Sequence, residues 1–225
     1  MLTDEELIWS PVVANNRMNR LRGLSGVNSY EKDLKVNLIQ TLLAYTVESG
    51  KTDWLDVGCG AGKALIEAGE SLEVDYPEIQ VQITGIDLVD AFAPLPTHLK
   101  NVQFVVTPIH TWIPTQHYDL ITSVHSFHYF GDKLAILQKL LQALTLNGLF
   151  IGQVDLSSIL VGKESQEKHL AAYLRKQGIH YNRHTKCLIC KGQKMLAFPH
   201  QYIGANDQEG ANYTGQEAVR AFYDL

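Results

Sequence analysis

The sequence has no long hydrophobic run, no cysteine framework and no surplus of positive charge. No segment of its 225 residues approaches the roughly 18 consecutive apolar residues that a membrane-spanning helix needs. Its three cysteines are an odd number, which does not suit a small domain held together by disulfides. A formal net charge of −5 gives no long-range attraction for nucleic acids or anionic membranes. We therefore expect neither a nucleic acid nor a membrane as a partner.

The composition favours an ordinary globular protein. Hydrophobic residues make up 45% of the chain and charged residues 19%, which suits one domain with a substantial core. The first residues are acidic, whereas a secretory signal begins with basic residues and continues with an apolar segment, so we expect a cytoplasmic protein. We predict one compact unit, a monomer or a homodimer, in which residues 1–50 form a helical lid and residues 51–225 form the core.

Strand-like and helix-like segments alternate along the core. Apolar strand candidates lie at 54–58, 81–87, 102–106, 118–124 and 148–154, and amphipathic segments lie between several of them. This alternation predicts an α/β fold, namely a single doubly wound, Rossmann-like domain with a mostly parallel sheet and helices on both faces. Asn147 and Gly148 are expected to end a helix just before the last of these strands.

Both ends of the chain carry further predicted elements. Thr3 is a candidate N-cap, and a second helical segment begins near Tyr30 and ends at Gly50. After the core, a helix over about 164–177 is expected. The strand-like runs that follow it, 186–190 and 194–198, are interpreted as an antiparallel hairpin. Thr214 and Glu217 have the spacing of a capping box, which predicts a short final helix.

The stretch "WLDVGCGAGKALIEAG" places glycines between a predicted strand and a predicted helix. They lie two residues apart: Gly58, Gly60 and Gly62. A P-loop is excluded, because Val57 and Ala64 stand where that motif needs a glycine and a hydroxyl residue. A dinucleotide fingerprint would need a third glycine at position 63, which is Lys63. A tight turn without any ligand is the remaining alternative for this loop.

The glycines and a following acid resemble the first two motifs of the class I S-adenosylmethionine-dependent methyltransferases. "LDVGCGAGKAL" carries the glycine loop, with Asp56 at the position of the family's first-strand acid. "TGIDLVD" carries Asp87 at the position of the second-strand acid. The resemblance implies that the loop backbone lies against the cofactor and that Asp87 accepts hydrogen bonds from both ribose hydroxyls. A carboxylate at a strand's carboxyl end is a good acceptor for a diol, although a helix cap is the alternative role.

The resemblance covers about residues 53–155 and implies a site for S-adenosylmethionine. Tyr30, in the lid, is expected to reach the methionyl group. After the third predicted strand the chain has Thr107 and Pro108, where the family usually offers an acidic residue to the adenine amino group. The residues assigned to the cofactor are Tyr30, Asp56, Gly58, Cys59, Gly60, Gly62, Asp87, Leu88, Pro108, Ile109 and His125.

Methyl transfer to a nucleophile needs positioning and, where the nucleophile carries a proton, a base. His125 and His128 follow the fourth predicted strand and are candidate catalytic bases, because imidazole titrates near neutral pH. The alternative is that they line the cofactor or stabilise the fold. Arg17 and Arg20 would hold a substrate carboxylate or form a solvated basic face. The residues assigned to the substrate are Arg17, Arg20, Tyr129 and Asp155.

The sequence also contains a candidate zinc-binding motif. Its candidate ligands are His180, His184, Cys187 and Cys190. Strand alternation sends Cys187 and Cys190 to opposite faces, so we assign no metal and expect buried thiols.

The predicted function is S-adenosylmethionine-dependent methyl transfer to an oxygen or nitrogen atom, possibly of a carboxylate, in a small molecule or a peptide. A non-catalytic module that binds S-adenosylmethionine or S-adenosylhomocysteine is the main alternative. A nicotinamide-dependent oxidoreductase is a weaker one.

Overall fold

The computed structural model describes residues 1–14, 21–213 and 215–224. The strands are β1 (Thr52–Val57), β2 (Val81–Asp87), β3 (Val102–Val106), β4 (Tyr118–Ser123), β5 (Leu144–Gln153), β6 (Ile159–Val161), β7 (Glu164–Ser165), β8 (His180–Asn182), β9 (Cys187–Lys191), β10 (Gln201–Asn206) and β11 (Arg220–Asp224). The helices are α1 (Asp4–Leu7), α2 (Tyr30–Leu34), α3 (Leu38–Ser49), α4 (Lys63–Asp75), α5 (Lys133–Gln142) and α6 (Glu167–Lys176). Within these ranges no helix has the length and apolar character to cross a bilayer.

A seven-stranded sheet has the order β3-β2-β1-β4-β5-β9-β8. The pairs among β1 to β5 are parallel, and β9 is antiparallel to both of its neighbours. Because β2 and β3 lie on one side of β1 while β4 and β5 lie on the other, the winding reverses between β1 and β4. The carboxyl ends of these strands therefore flank the crevice where doubly wound sheets bind ligands. The predicted α/β, mostly parallel fold is confirmed.

The sheet is buried on both faces. All six residues of β1 are buried. Trp54 belongs to one core cluster with Leu42 of α3 and Leu65 of α4, whereas its neighbour Leu55 belongs to a second cluster with Leu137 of α5. Burial on both sides explains why the central strands read as nearly continuous apolar runs. The core fixes the strand ends, and thereby the loops that carry the site.

A second sheet, with the order β10-β11-β6-β7, lies beside the first in the chain's C-terminal half. β10 and β11 are antiparallel, and β11 runs parallel to β6. Leu2 extends this sheet, because its backbone exchanges hydrogen bonds of 2.7 and 2.8 Å with Ala205 of β10. The N-terminal segment is thus attached to the C-terminal sheet.

The N-terminal segment is less helical than expected. Thr3 caps α1 as predicted, but α1 has only four residues. The single helix expected between Tyr30 and Gly50 is divided at Lys35, whose φ of 59° is left-handed and ends α2. α3 then ends at Gly50, as predicted. The lid role of residues 1–50 stays a prediction.

The predicted hairpin between 186–190 and 194–198 is wrong. β9 pairs instead with β8 and with β5, and residues 193–200 form no strand. The tertiary pairing with β5 outweighs the local turn signal at Gly192. The helix expected over 164–177 is confirmed as α6, although it begins three residues later.

Two other helix predictions are wrong, namely the helix end at Asn147 and Gly148 and the short final helix. Asn147 and Gly148 lie inside β5, since α5 already ends at Gln142. They occupy a stretch where the register between β4 and β5 shifts, so glycine serves a strand irregularity rather than a helix end. In place of the predicted final helix, the chain forms β11 in the second sheet. Its expected cap, Thr214, lies outside the described residues.

Candidate active site

A cleft lies at the carboxyl ends of β1, β2 and β4. Its walls come from the glycine loop after β1, from the segments after β2, β3 and β4, and from the N-terminal segment. Open parallel sheets bind their ligands at this edge. The predicted cofactor residues that line it are Tyr30, Gly58, Cys59, Gly60, Asp87, Leu88, Pro108, Ile109 and His125.

The glycine loop has left-handed backbone at each of its three glycines. The φ angles of Gly58, Gly60 and Gly62 are 73°, 59° and 71°. A Cβ atom on Gly58 would lie 2.2 Å from Cβ of Ser126, and one on Gly62 would lie 2.3 Å from the Phe104 ring. Glycine is therefore required for both conformation and space. Gly58 and Gly60 line the cleft, whereas Gly62 is the N-cap of α4 behind it.

Asp87, the last residue of β2, holds the loop in place. Its Oδ2 accepts a hydrogen bond of 2.8 Å from the backbone N–H of Gly60, and its Oδ1 accepts one of 3.0 Å from that of Val89. These two bonds orient the carboxylate, whose two oxygens offer about four acceptor positions. The carboxylate lines the cleft at a strand's carboxyl end, as the sequence predicts.

Asp56 is buried beneath the cleft and does not line it. The Tyr30 hydroxyl donates to its Oδ2 at 2.7 Å, and the Thr122 hydroxyl donates to its Oδ1. Trp54 Nε1 donates in turn to the Thr122 hydroxyl at 2.8 Å. Burial raises the pKa of Asp56 to about 7, although both hydrogen bonds act in the opposite direction. Asp56 thus joins α2, β1 and β4, and it reaches the cleft only through Tyr30.

The buried carboxyl of Asp56 predicts a pH dependence of stability. Because its native pKa of about 7 exceeds the ordinary 3.8, its stabilising contribution is complete below pH 3.8 and is lost as the pH rises through 7. Asp56→Asn stays neutral and can face both hydroxyls with its amide. Between pH 5 and pH 8, denaturant unfolding should therefore show the wild type losing roughly 2 kcal/mol more free energy of unfolding than the variant. Identical pH profiles would contradict this assignment.

His125 lines the cleft directly after β4. Its φ of 58° is left-handed, a conformation that is uncommon for a residue with a side chain. Its Nε2 lies 3.2 Å from Oδ2 of Asp33, and that oxygen also accepts a bond of 2.8 Å from Nε of Arg22. Burial opposes ionisation of Asp33, but the hydrogen bond and the charge of His125, with that of Arg22, lower the pKa of Asp33. Nδ1 of His125 is buried and has no hydrogen-bond partner among the described residues.

His128, the second predicted base, lies in a buried 3-10 turn and does not line the cleft. Burial lowers the pKa of His128 to about 3, and the nearby charges of His125 and Lys133 lower it further. An imidazole with this pKa is a weak base at neutral pH. The geometry therefore favours His125 over His128 for proton transfer.

The residues assigned to the substrate are separated in the structure. Tyr129 lines the cleft. Asp155 is buried at the end of β5, where it accepts a bond of 2.6 Å from the Ser157 hydroxyl and pairs with Lys186 at 3.1 Å. It caps a turn there and is absent from the cleft wall. Arg17 and Arg20 lie outside the described residues.

The cysteines of the rejected zinc motif are free, buried thiols, as expected. Cys187 belongs to the core cluster on one face of the sheet and Cys190 to the cluster on the other. Burial raises the pKa of the Cys190 thiol to about 11. Strand alternation thus keeps the two sulfurs apart.

Several residues of the site were not predicted from the sequence. Asp33 had a signal, because it follows Tyr30 by three residues and therefore shares a face of α2. The others reach the cleft only through tertiary folding, which no local pattern reports. They include Asp4, Leu7, Ile8, Arg22 and Gln216.

Known proteins resemble this chain in sequence and in fold. A family model for a methyltransferase domain matches residues 28–187. No curated protein matches the sequence. Solved structures with a similar fold include the plantazolicin methyltransferase BpumL with S-adenosylhomocysteine, at 20% identity over 80% of this chain and 76% of that one, with a TM-score of 0.49. Coclaurine N-methyltransferase bound to N-methylheliamine and S-adenosylhomocysteine has 14% identity over 64% and 42%, with a TM-score of 0.42.

A third similar structure is CalS10, an amino pentose methyltransferase from Micromonospora echinaspora, at 20% identity over 56% of this chain and 51% of that one, with a TM-score of 0.41. The chain spans between 42% and 59% of the length of the first four matching structures. The family model covers most of the chain, from α2 through the glycine loop to β9. The chain therefore belongs to the class I S-adenosylmethionine-dependent methyltransferases, and S-adenosylmethionine is its cofactor.

Proposed function

We propose that this chain transfers a methyl group to an oxygen or nitrogen atom of a small molecule or a peptide, with His125 as the base where the acceptor carries a proton. The observation that supports this most directly is the joint placement of Asp87, the glycine loop and His125 around one cleft. A site that only binds the cofactor would need Asp87 and the glycine loop but not His125. Nδ1 of His125, buried and without a partner among the described residues, adds a group suited to chemistry.

The residues of the cleft fit the cofactor. Gly58 and Gly60 present backbone without side chains, and Asp87 offers an oriented carboxylate to hydroxyl groups. Apolar side chains suited to a nucleobase ring come from Leu88 and Ile109. When bound, S-adenosylmethionine supplies an electrophilic methyl group. The protein's part is to bind, to orient and to exclude water.

His125 would accept the proton that the acceptor loses. Nε2 of His125 faces the carboxylate of Asp33. The ring hydrogen of the neutral imidazole is therefore assigned to Nε2, which leaves the lone pair on Nδ1. Leu7 and Ile8 of the N-terminal segment and Phe130 after β4 line the same cleft. Their apolar side chains would keep water from the reacting groups.

The N-terminal segment and the loop after β4 would select the acceptor, because both line the cleft beside the proposed cofactor residues. A carboxylate acceptor held by Arg17 and Arg20 stays a prediction. So do the cytoplasmic location and the monomeric or dimeric state. The dinucleotide alternative is disfavoured by Lys63, which begins α4 where the third glycine of that fingerprint would stand.

Turnover tests the proposal. The purified chain is incubated with S-adenosylmethionine and a panel of phenols, amines, carboxylic acids and peptides, and S-adenosylhomocysteine is quantified. We expect acceptor-dependent product from at least one class. His125→Ala should lower kcat by about 100-fold or more while S-adenosylhomocysteine affinity changes little. His169→Ala, which alters an exposed histidine of α6, is the matched control. Tight cofactor binding without turnover on any acceptor would instead favour the non-catalytic module.

A further inference from the structure

Asp33, Arg22 and His125 form a half-buried group that ties the N-terminal segment to the end of β4. One oxygen of Asp33 receives both neighbours, Nε of Arg22 at 2.8 Å and Nε2 of His125 at 3.2 Å. The side chains are exposed by 20%, 23% and 16% for Arg22, Asp33 and His125. Solvent screening is weaker at such exposure than at the surface, so the contacts constrain the His125 ring more firmly than a surface pair would.

The fold fixes the position of Asp33 independently of His125. Tyr30, one turn earlier on the same short helix, donates to buried Asp56 and so attaches α2 to β1. Ser29 caps α2 by accepting from the backbone N–H of Lys32 at 3.2 Å. The carboxylate of Asp33 is therefore held beside the end of β4 by contacts that lie outside the pair itself.

The backbone of His125 is strained. A left-handed φ is unfavourable for a residue with a Cβ atom, and such conformations persist where the surroundings enforce them. A buried nitrogen that has no partner among the described residues, such as Nδ1, adds a further penalty. A ligand that donates a hydrogen bond to Nδ1 would remove the second penalty.

We propose that Asp33 is a positioning residue for proton transfer, which holds His125 in the Nε2–H tautomer and so keeps the lone pair on Nδ1. This inference rests on the proposed function, since it takes His125 as the base. An ionised carboxylate at this place also stabilises the imidazolium that forms when Nδ1 accepts the proton. Arg22 keeps the carboxylate ionised and in place, because it shares the same oxygen.

Asp33→Asn in an Arg22→Ala background tests the proposal, with Arg22→Ala alone as the reference. The guanidinium of Arg22 only donates and would hold the amide oxygen toward Nε2, whereas without it the amide can donate N–H to Nε2 and so favour the other tautomer. We expect kcat to fall at least tenfold, while the KM of the acceptor and the affinity for S-adenosylhomocysteine change less than threefold. In ¹⁵N-imidazole spectra of the S-adenosylhomocysteine complex, assigned with His125→Gln, the His125 signals should change from the Nε2–H to the Nδ1–H pattern. Asp75→Asn, an exposed position at the end of α4, should leave both readouts unchanged.

The two readouts separate this inference from the proposed function. An unchanged tautomer in the folded double variant overturns the positioning role, even if kcat falls, because the effect is then merely structural. The absence of turnover in the wild type removes the proposed function but leaves the tautomer test in force. If the variant does not fold, the wild-type spectrum decides, since Nδ1–H at His125 overturns the proposal and Nε2–H supports it.

Discussion

Asp87→Ala is expected to weaken the binding of S-adenosylhomocysteine by about 10- to 100-fold, because each hydrogen bond to a charged group contributes roughly 1.5 to 3 kcal/mol. The change removes the proposed acceptor of the ribose hydroxyls. It also removes the partner that holds the backbone N–H of Gly60 and that of Val89. Calorimetric titration of the variant and the wild type measures the difference in affinity.

The control for Asp87→Ala is Asp90→Ala, three residues later in the same loop and exposed. Asp90→Ala also removes a negative charge near the site, but Asp90 does not line the cleft. The affinity for S-adenosylhomocysteine should therefore stay within twofold of the wild type. Asp87→Asn keeps the shape of the side chain and should lie between the alanine variant and the wild type. Unchanged affinity in a folded Asp87→Ala protein would remove Asp87 from the cofactor site.

Gly58→Ala is expected to lower the free energy of unfolding by roughly 2 to 5 kcal/mol and to abolish measurable cofactor binding. Two effects combine. The left-handed φ of 73° is unfavourable for alanine, and the new Cβ atom would lie 2.2 Å from Cβ of Ser126. Ser126 has little room to move, because its hydroxyl donates to the carbonyl oxygen of Val57 at 2.7 Å. Denaturant unfolding and titration with S-adenosylhomocysteine measure the two losses.

Gly178→Ala separates the two effects. Gly178 has a φ of 75°, close to that of Gly58, but a Cβ atom added there meets nothing within 4 Å. Its variant should lose only the roughly 1 to 2 kcal/mol of the backbone term and should keep its affinity for the cofactor. Equal losses of stability in the two variants would show that the packing of Gly58 against Ser126 contributes nothing.

The sequence was sufficient for the parts of the fold that depend on local patterns. The central strands β2 and β3 have the predicted limits, because their apolar runs are flanked by clear turn signals. The second sheet was missed, since β6 and β11 pair across some 60 residues of sequence and β7 has only two residues. Such pairing depends on contacts that a sequence window does not contain.

The same distinction applies to the site. Asp87 and the glycine loop were found because they are contiguous with strands and have a fixed spacing. His125 and His128 are three residues apart and look equivalent in the sequence, yet one lines the cleft and the other is buried with its pKa lowered to about 3. Burial, which separates the two histidines, is a tertiary property. Asp33 was missed for the same reason, although its spacing from Tyr30 on α2 was available.

Calorimetric titration of the wild-type chain with S-adenosylhomocysteine and with S-adenosylmethionine is the most direct test of the central claim. The cleft geometry predicts one site with micromolar affinity for each ligand, or a binding free energy of roughly −8 kcal/mol. The absence of binding heat with both ligands, in a sample shown to be folded and at more than one temperature, would contradict the assignment of this cleft to the cofactor.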